Sequence, residues 1–353
     1  MAILILDVSV WGLAMVELWF KYGRTEIFAD VENSLEILQP SQRLPAAEQI
    51  IHQIASRINH GIRTLVIDYV HSLEGLDRVI NSAVEAMVSK GVSYDEIEAL
   101  VTCWRYGDQH VERYLFNHVK GLLKNLGVAK FEHIQEVADA DLSKALVVTP
   151  TVYWDSETVA VPDFCKDFRH GLVVTPIAGY GGVVADVLVG EFEEVVEKSL
   201  ERAETLARYT PTKAADIILV GGPGYPVDSR LSSCINIASV VLDVQPGKVV
   251  VFMLECSDGL GEDDFVSLMV GKSPGENEKN KIFENRLAVW RKVVQNHKVC
   301  LVTALPSTIV SRLLNSRQMD TLDQALAYGW RLKSKEAAVL AIPNSVGTRL
   351  TGF

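Results

Sequence analysis

Apolar and polar residues partly alternate from Val16 to Glu32, VELWFKYGRTEIFADVE, around Tyr22-Gly23. A period of two broken by a glycine predicts a hairpin. At Pro45 the period lengthens to 3.6. Ala47, Ile50, Ile51, Ile54 and Ile58 share a face, and a proline at the first turn suits a helix start. The apolar run Thr64 to Tyr69 then predicts a strand. Leu76, Val79, Ile80, Ala83, Val84 and Met87 predict a helix ending near Gly91. Glu98 to Cys103 reads as a strand and 109–126 as a helix. Strands alternating with helices predict a mostly parallel sheet with helices on its faces.

From Ala145 to Val189 the runs are short and β-rich, ALVVTPTVYW, TVAVPDF and GLVVTPIAGYGGVVADVLV, which predicts hairpins. A charged helix is expected from Glu191 to Tyr209, and Pro211 follows it. The second half is regular again. Strands are expected at 216–221, 248–254, 298–303 and 337–342, with helical patterns between them. The expectation is therefore an α/β protein of two domains, 1–209 and 210–353. Each has a mostly parallel sheet flanked by helices, and a cleft lies between them. In such sheets ligands bind beyond the carboxyl ends of the strands. Here those ends carry GGPGYPVD (Gly221 to Asp228), ECSDGLGEDD (Glu255 to Asp264), TALPST and IPNSVG.

Composition agrees with two domains. The chain has 353 residues, more than one core usually holds, and 48% are hydrophobic against 22% charged. A net charge of −11 argues against a nucleic-acid partner, which needs clustered Lys and Arg. Five cysteines with no CxxC pair suit buried thiols in a reducing compartment. The apolar start lacks a basic leading segment and is interrupted by Asp7 and Glu17, so no membrane span is expected and the reading is cytoplasmic.

Several stretches invite a chemical reading beside a plainer one. GGPG after a strand resembles a phosphate loop, but Pro223 removes an amide that a phosphate nest would use, so a tight turn beside a ligand site fits better. Asp228 either caps the next helix or meets a ligand. SDGLGEDDF fails as a calcium loop because Leu260 follows Gly259. Glu262, Asp263 and Asp264 suit the first turn of a helix, where the macrodipole favours anions, and Glu255 and Asp258 stand at the strand end. His71 lies just past a strand end, either as a reactive group or as a satisfied surface histidine. Arg105 either binds a carboxylate in bidentate fashion or pairs with Asp108. No histidine or cysteine has zinc-site spacing, so no metal site is expected.

Taken in order, Gly224 to Asp228 (GYPVD), PGKVVVFMLECSDGLGEDDF, Thr321 to Arg331 (TLDQALAYGWR) and Val339 to Gly347 (VLAIPNSVG) resemble the C-terminal domain of the nickel-pincer lactate racemase family. VELWFKYG with FADVENSLEILQP resembles that family's opening hairpin. The resemblance implies a two-domain α/β fold and a cleft site. Its active members racemise a 2-hydroxy acid by hydride abstraction and return, on a nickel pincer nucleotide tethered to a lysine. The chain departs from the pattern at the reactive positions. The family's Asp-His-Thr-Arg-Pro turn falls on Val70-His71-Ser72-Leu73-Glu74, so the substrate-binding arginine is Leu73. The Thr-Gly-x-His-Arg turn falls on Thr102 to Tyr106, so the catalytic histidine is Arg105. The tethering lysine and nickel-binding histidine have no counterpart between Leu142 and Thr175. The family's substrate-contacting helix positions fall near Ser232, Ser233 and Asn236. The implied reading is a lactate-racemase-like protein that binds a small ligand without covalent pincer machinery. No cofactor is expected, and a homo- or hetero-oligomer remains open. The alternative is an active isomerase, a racemase or epimerase of a 2-hydroxy acid, using a diffusible cofactor with His71 and Arg105.

Overall fold

The alternating start of the chain folds as β1 (Met15–Tyr22) and β2 (Thr25–Glu32), antiparallel and in register from Met15 opposite Glu32 to Tyr22 opposite Thr25. Leu18, Phe20, Ala29 and Val31 point inward and are buried. Trp19 and Phe28 meet on the other face, with ring centroids 5.0 Å apart. A short strand, β3 (Leu35–Ile37), follows. The structure is a computed structural model and describes residues 15–32, 35–40, 44–59, 61–103, 106, 108–134, 145–152, 171–275 and 277–353. The chain divides into two units, 40–208 and 1–39 with 209–353.

In the unit 40–208, helix α1 (Ala47–Arg57) buries Ile50 and Ile54, as its period predicts. Strand β4 (Thr64–Asp68) follows, then α2 (Leu76–Ser89), whose buried stripe includes Val79, Ile80, Ala83, Val84 and Met87. Gly91, at φ +89°, takes the chain out of that helix in a conformation that costs glycine nothing. Strand β5 (Glu98–Thr102) leads to α3 (Gln109–Asn125). Asp108 caps α3: its carboxylate accepts from the N–H groups of His110 at 3.0 Å and Val111 at 3.2 Å. Strands β6 (Lys130–His133), β7 (Ala145–Val148), β8 (Leu172–Gly179) and β9 (Val183–Glu191) precede α4 (Phe192–Ala207). The sheet order is β6-β5-β4-β7-β8-β9. All neighbours are parallel except the β8–β9 hairpin.

The second unit opens with β10 (Arg208–Tyr209) at its boundary, then β11 (Ile217–Gly221) and β12 (Val249–Met253). Helices α5 (Asp263–Met269) and α6 (Glu278–Asn296) lead to β13 (Lys298–Val302), α7 (Ser307–Leu313), β14 (Arg317–Met319), α8 (Leu322–Leu332), β15 (Val339–Ile342) and β16 (Arg349–Leu350). The main sheet runs β14-β13-β12-β11-β15-β3, parallel throughout. Its central strands IILVG and VVVFM are buried at every position, as a sheet covered on both faces requires. The hairpin's inner residues share one core with Ile217, Leu219, Val251, Met253, Leu322 and Leu326. Each such buried aliphatic side chain contributes about 1.5–3 kcal/mol.

The described residues up to 39 group with 209–353 and not with 40–208. The reason is long-range pairing. Strand β3 adds to the sheet edge, with Leu35 opposite Val339 and Ile37 opposite Ala341. No local pattern in the sequence carries that pairing. Among the described residues no helix is long and apolar enough to cross a membrane.

Candidate functional site

At the carboxyl end of β11 the chain must turn in very little space. A Cβ on Gly221 would lie 2.3 Å from the Pro343 carbonyl oxygen, and one on Gly222 would lie 2.5 Å from that of Met253. Only glycine allows the neighbouring strand ends to come so close. The loop then passes through Gly224 (φ +78°) and turns Asp228 fully into the interior. The short helix Leu231–Cys234 that follows has no side-chain cap. So Asp228 does not cap it. Instead its Oδ2 accepts the backbone N–H of Gly23, in the β1–β2 turn, at 2.8 Å. The Tyr225 N–H donates back to the Gly23 carbonyl at 2.9 Å. Asp228 Oδ1 is buried and has no hydrogen-bond partner among the described residues.

Glu255 approaches the same glycine from the end of β12. A Cβ on Gly23, whose φ is +55°, would sit 1.9 Å from Glu255 Oε2. Two carboxylates thus converge on one backbone turn. The Ser257 hydroxyl donates to Glu255 Oε2 at 3.1 Å. Burial, with Glu255 adding to it, pushes the Asp228 carboxyl up to about 6 against the pull of the Gly23 N–H. Burial and then Glu255, Cys256 and Asp228 push the Tyr22 phenol up to about 12. A buried carboxyl that titrates close to neutral pH, with one oxygen free, can exchange a proton or take a donor from a ligand.

The stretch ECSDGLGEDDF lies along the Asp228 segment through its backbone. The Cys256 N–H donates to the Asp228 carbonyl at 2.7 Å, that of Asp258 to Ser229 at 2.8 Å, and that of Ser232 returns to Leu260 at 3.0 Å. Gly261, at φ +101°, lets Ser232 pack where a Cβ would be 2.0 Å from its Oγ. Asp263 and Asp264 occupy the first turn of α5, where the sequence placed them, and Glu262 is its N-cap residue. The structure therefore brings Asp228 and Glu255 together. It buries Ser232 and Ser233 completely, with no partner for either hydroxyl among the described residues. Asn236 is half-buried in the following turn, and Asp258 is exposed. Tyr22 and Gly23 were not expected at this site; the Tyr-Gly turn was their only signal. Cys234 was not expected either. Its thiol is pushed well up by burial and then by a hydrogen bond with the Cys256 thiol.

The unit 40–208 has its own polar group past the ends of β4 and β5. The His71 N–H donates to the Tyr106 hydroxyl at 2.6 Å. Asp68 is fully buried and accepts from the Thr149 hydroxyl at 3.1 Å. Tyr69 and His118 both contact Asp77. Leu73 is buried, 5% exposed. Arg105 lies outside the described residues, as do 142–144 and 153–170 in the stretch from Leu142 to Thr175. Asp108, its alternative partner, carries the cap of α3. Among the described residues no three His, Cys, Asp or Glu side chains gather as a metal-ion site would require.

Comparison with known proteins bears on both units. Residues 210–349 match the sequence model of the family described as the lactate racemase C-terminal domain. No curated protein matches the chain. The lactate racemase apoprotein from Thermoanaerobacterium thermosaccharolyticum is similar in fold, with TM-score 0.62 and 13% identity, over 96% of this chain and 100% of that one. A protein of known structure from Thermotoga maritima is similar with TM-score 0.54 and 11% identity, over 89% of this chain and 100% of that one. The chain is thus lactate-racemase-like, by sequence in its C-terminal domain and by fold over nearly its whole length.

Proposed function

We propose that this lactate-racemase-like protein binds a small ligand at the carboxyl ends of β11 and β12 and holds no covalent nickel pincer. The observation that carries the reading is Asp228: a fully buried carboxylate with one unpartnered oxygen, beside Glu255, where parallel sheets hold ligands. An unmet buried oxygen of this kind costs free energy unless a proton or a donor reaches it. In this reading Ser232, Ser233, Asn236 and Asp258, which follow Asp228 and Glu255 in their loops, are further candidates for ligand contact.

The chain's residues do not fit the pincer nucleotide. Leu73, buried and uncharged, stands where the family arginine holds a carboxylate, and a leucine cannot do that work. The family resemblance assigns neither a tethering lysine nor a nickel-binding histidine to a position between Leu142 and Thr175. Intact-mass measurement with metal analysis tests this directly: the expected mass is that of the unmodified chain. A nickel-bearing adduct on any lysine would overturn the reading. For the ligand, thermal shift against a panel of small hydroxy acids and amines is expected to give at least one stabilising compound whose effect is lost in Asp228→Asn. A shift that survives in that variant places the ligand elsewhere.

A second reading, an isomerase of a small 2-hydroxy acid with a diffusible cofactor, draws on His71, which lies against Tyr106 and within electrostatic reach of Asp77. It requires turnover that His71→Ala abolishes while the fold survives. Absence of wild-type turnover across the hydroxy-acid panel removes it.

A further inference from the structure

The unit 40–208 contains a side-chain relay that neither family resemblance nor sequence spacing points to. Tyr69 follows β4, Asp77 is in the first turn of α2, and His118 is in the middle of α3. The Tyr69 hydroxyl donates to Asp77 Oδ1 at 3.2 Å. His118 Nε2 lies 3.4 Å from Asp77 Oδ2. The Tyr69 and His118 rings are 5.3 Å apart and tilted by 47°. Asp77 therefore accepts the Tyr69 hydroxyl on one oxygen and faces the imidazole Nε2 with the other, which orients the ring. Among the described residues His118 Nδ1 meets no hydrogen-bond partner, and the side chain is 46% exposed.

We propose that His118, oriented by Asp77 and Tyr69, is a general base that activates water or the hydroxyl of a small molecule past the ends of β4 and β5. This goes beyond the ligand reading at Asp228 and stands on different residues. In the step, His118 Nδ1 takes the proton of an O–H bond as that oxygen attacks an electrophilic carbon. The N–H bond forms, the O–H bond breaks, and the electron pair of the broken bond forms the new O–C bond. Asp77 balances the imidazolium, and the proton then passes to the leaving group or to water.

The electrostatics agree with the geometry. The Asp77 carboxylate, as acceptor for the ring, raises the His118 imidazole above its ordinary value against the opposing effect of burial. The Asp77 carboxyl is held down, first by His118, with Tyr69 and His71 adding to it. Burial, and then Asp77, push the Tyr69 phenol far up, so it stays a donor at any working pH. The groups facing the pair are thus Tyr69 and His71. A plain tie between α2 and α3 would need the ion pair but neither the buried phenol on the far oxygen nor a free Nδ1.

The test uses the full chain and two probes. Diethylpyrocarbonate modification of His118, followed by peptide mass spectrometry against pH, reports the basicity and reach of Nδ1. Hydrolysis of p-nitrophenyl acetate reports base catalysis: water adds, p-nitrophenolate leaves, and acetate forms. The expected result is ester turnover that rises with pH through the His118 titration and is lost in His118→Gln. In Asp77→Asn the titration moves to lower pH. Turnover unchanged in His118→Gln, or a His118 titration unmoved in Asp77→Asn, would overturn the proposal. Circular dichroism of each variant shows whether the fold is kept. If His118→Gln unfolds, the comparison passes to Asp77→Asn and His118→Asn, where the same two outcomes decide.

Discussion

The Gly23 N–H donates to Asp228 Oδ2 at 2.8 Å across 205 residues of sequence. That bond ties the opening hairpin's turn to the loop after β11. It also explains why the hairpin belongs with the C-terminal sheet. The hairpin's inner face supplies part of the core, and its turn closes the carboxyl edge where Asp228 and Glu255 meet.

Gly23→Ala is expected to destabilise the fold by roughly 1–3 kcal/mol, since it adds a strained left-handed residue and a clash. The clash is with Glu255, 1.9 Å from the new methyl position. The flexible end of Glu255 can move away, so Gly23→Ala combined with Glu255→Ala should recover the steric part and leave the backbone part. Urea midpoints of the four chains give the interaction directly. If the two effects simply add, Glu255 does not press on Gly23.

Asp228 makes stability depend on pH in an unusual direction. Its folded value is about 6, above the ordinary 3.8, so the folded state holds the proton more tightly. Its contribution is therefore complete below the unfolded value and is lost as pH rises from there through about 6. A shift of this size corresponds to roughly 3 kcal/mol between the two limits, as an order of magnitude. Asp228→Asn can still accept from Gly23 and carries no charge. It should match the wild type at about pH 4 and exceed it in stability at about pH 7. Urea melts at both pH values test this; an Asn variant less stable at the higher pH would mean that the charged carboxylate is itself needed.

Much of this architecture is legible in local sequence pattern. The period-two run at Val16, the 3.6-residue stripes of α1 and α2, and the fully apolar strands IILVG and VVVFM each state their own burial. GYPVD and ECSDGLGEDDF mark the strand ends by their glycines. What local pattern does not carry is contact between distant segments. Nothing near Leu35 announces that it will lie opposite Val339, nor near Tyr22 that it will face Asp228. Asp77 and His118 sit on different helices, so no motif spacing relates them, and only the adjacency of β4 and β5 brings them together. Asp228 was visible as a candidate, but its orientation was not: helix capping and turn binding need the same residue type.

Glu36 extends the same lesson within the unit of residues 1–39 and 209–353. It accepts from the Tyr209 hydroxyl at 2.6 Å, the Thr212 N–H at 2.9 Å, the Thr212 hydroxyl at 2.8 Å and the Lys213 N–H at 3.2 Å. Burial alone would raise its carboxyl, but these donors outweigh it and hold the group below its ordinary value. The stability it adds is present above the unfolded value and is lost as pH falls through the lower folded one. Glu36 is only half-buried, so Glu36→Gln should cost about 1 kcal/mol at neutral pH. The cost should shrink in acid. A cost that stays constant down to acid pH would show that the amide's shape, not the lost charge, is responsible.

Thiol labelling reports the burial of both cores at once. Cys103, Cys234, Cys256 and Cys300 are all buried. The attacking species in alkylation is the thiolate, which burial disfavours. Burial pushes the Cys103 and Cys234 thiols well above the ordinary value, and Cys300 up to about 12. Iodoacetamide at neutral pH should therefore leave these three unmodified in the native protein and label them rapidly in urea. Their rates should follow opening of the sheet that holds each one: Cys103 follows β5 in one unit, and Cys300 is within β13 in the other. Peptide mass spectrometry over a urea series separates the two. If Cys103 and Cys300 gain reactivity at the same urea concentration, the units unfold as one cooperative body; separate midpoints mean that each sheet melts on its own. Native labelling of Cys300 before either transition would contradict the packing of β13 between β12 and β14.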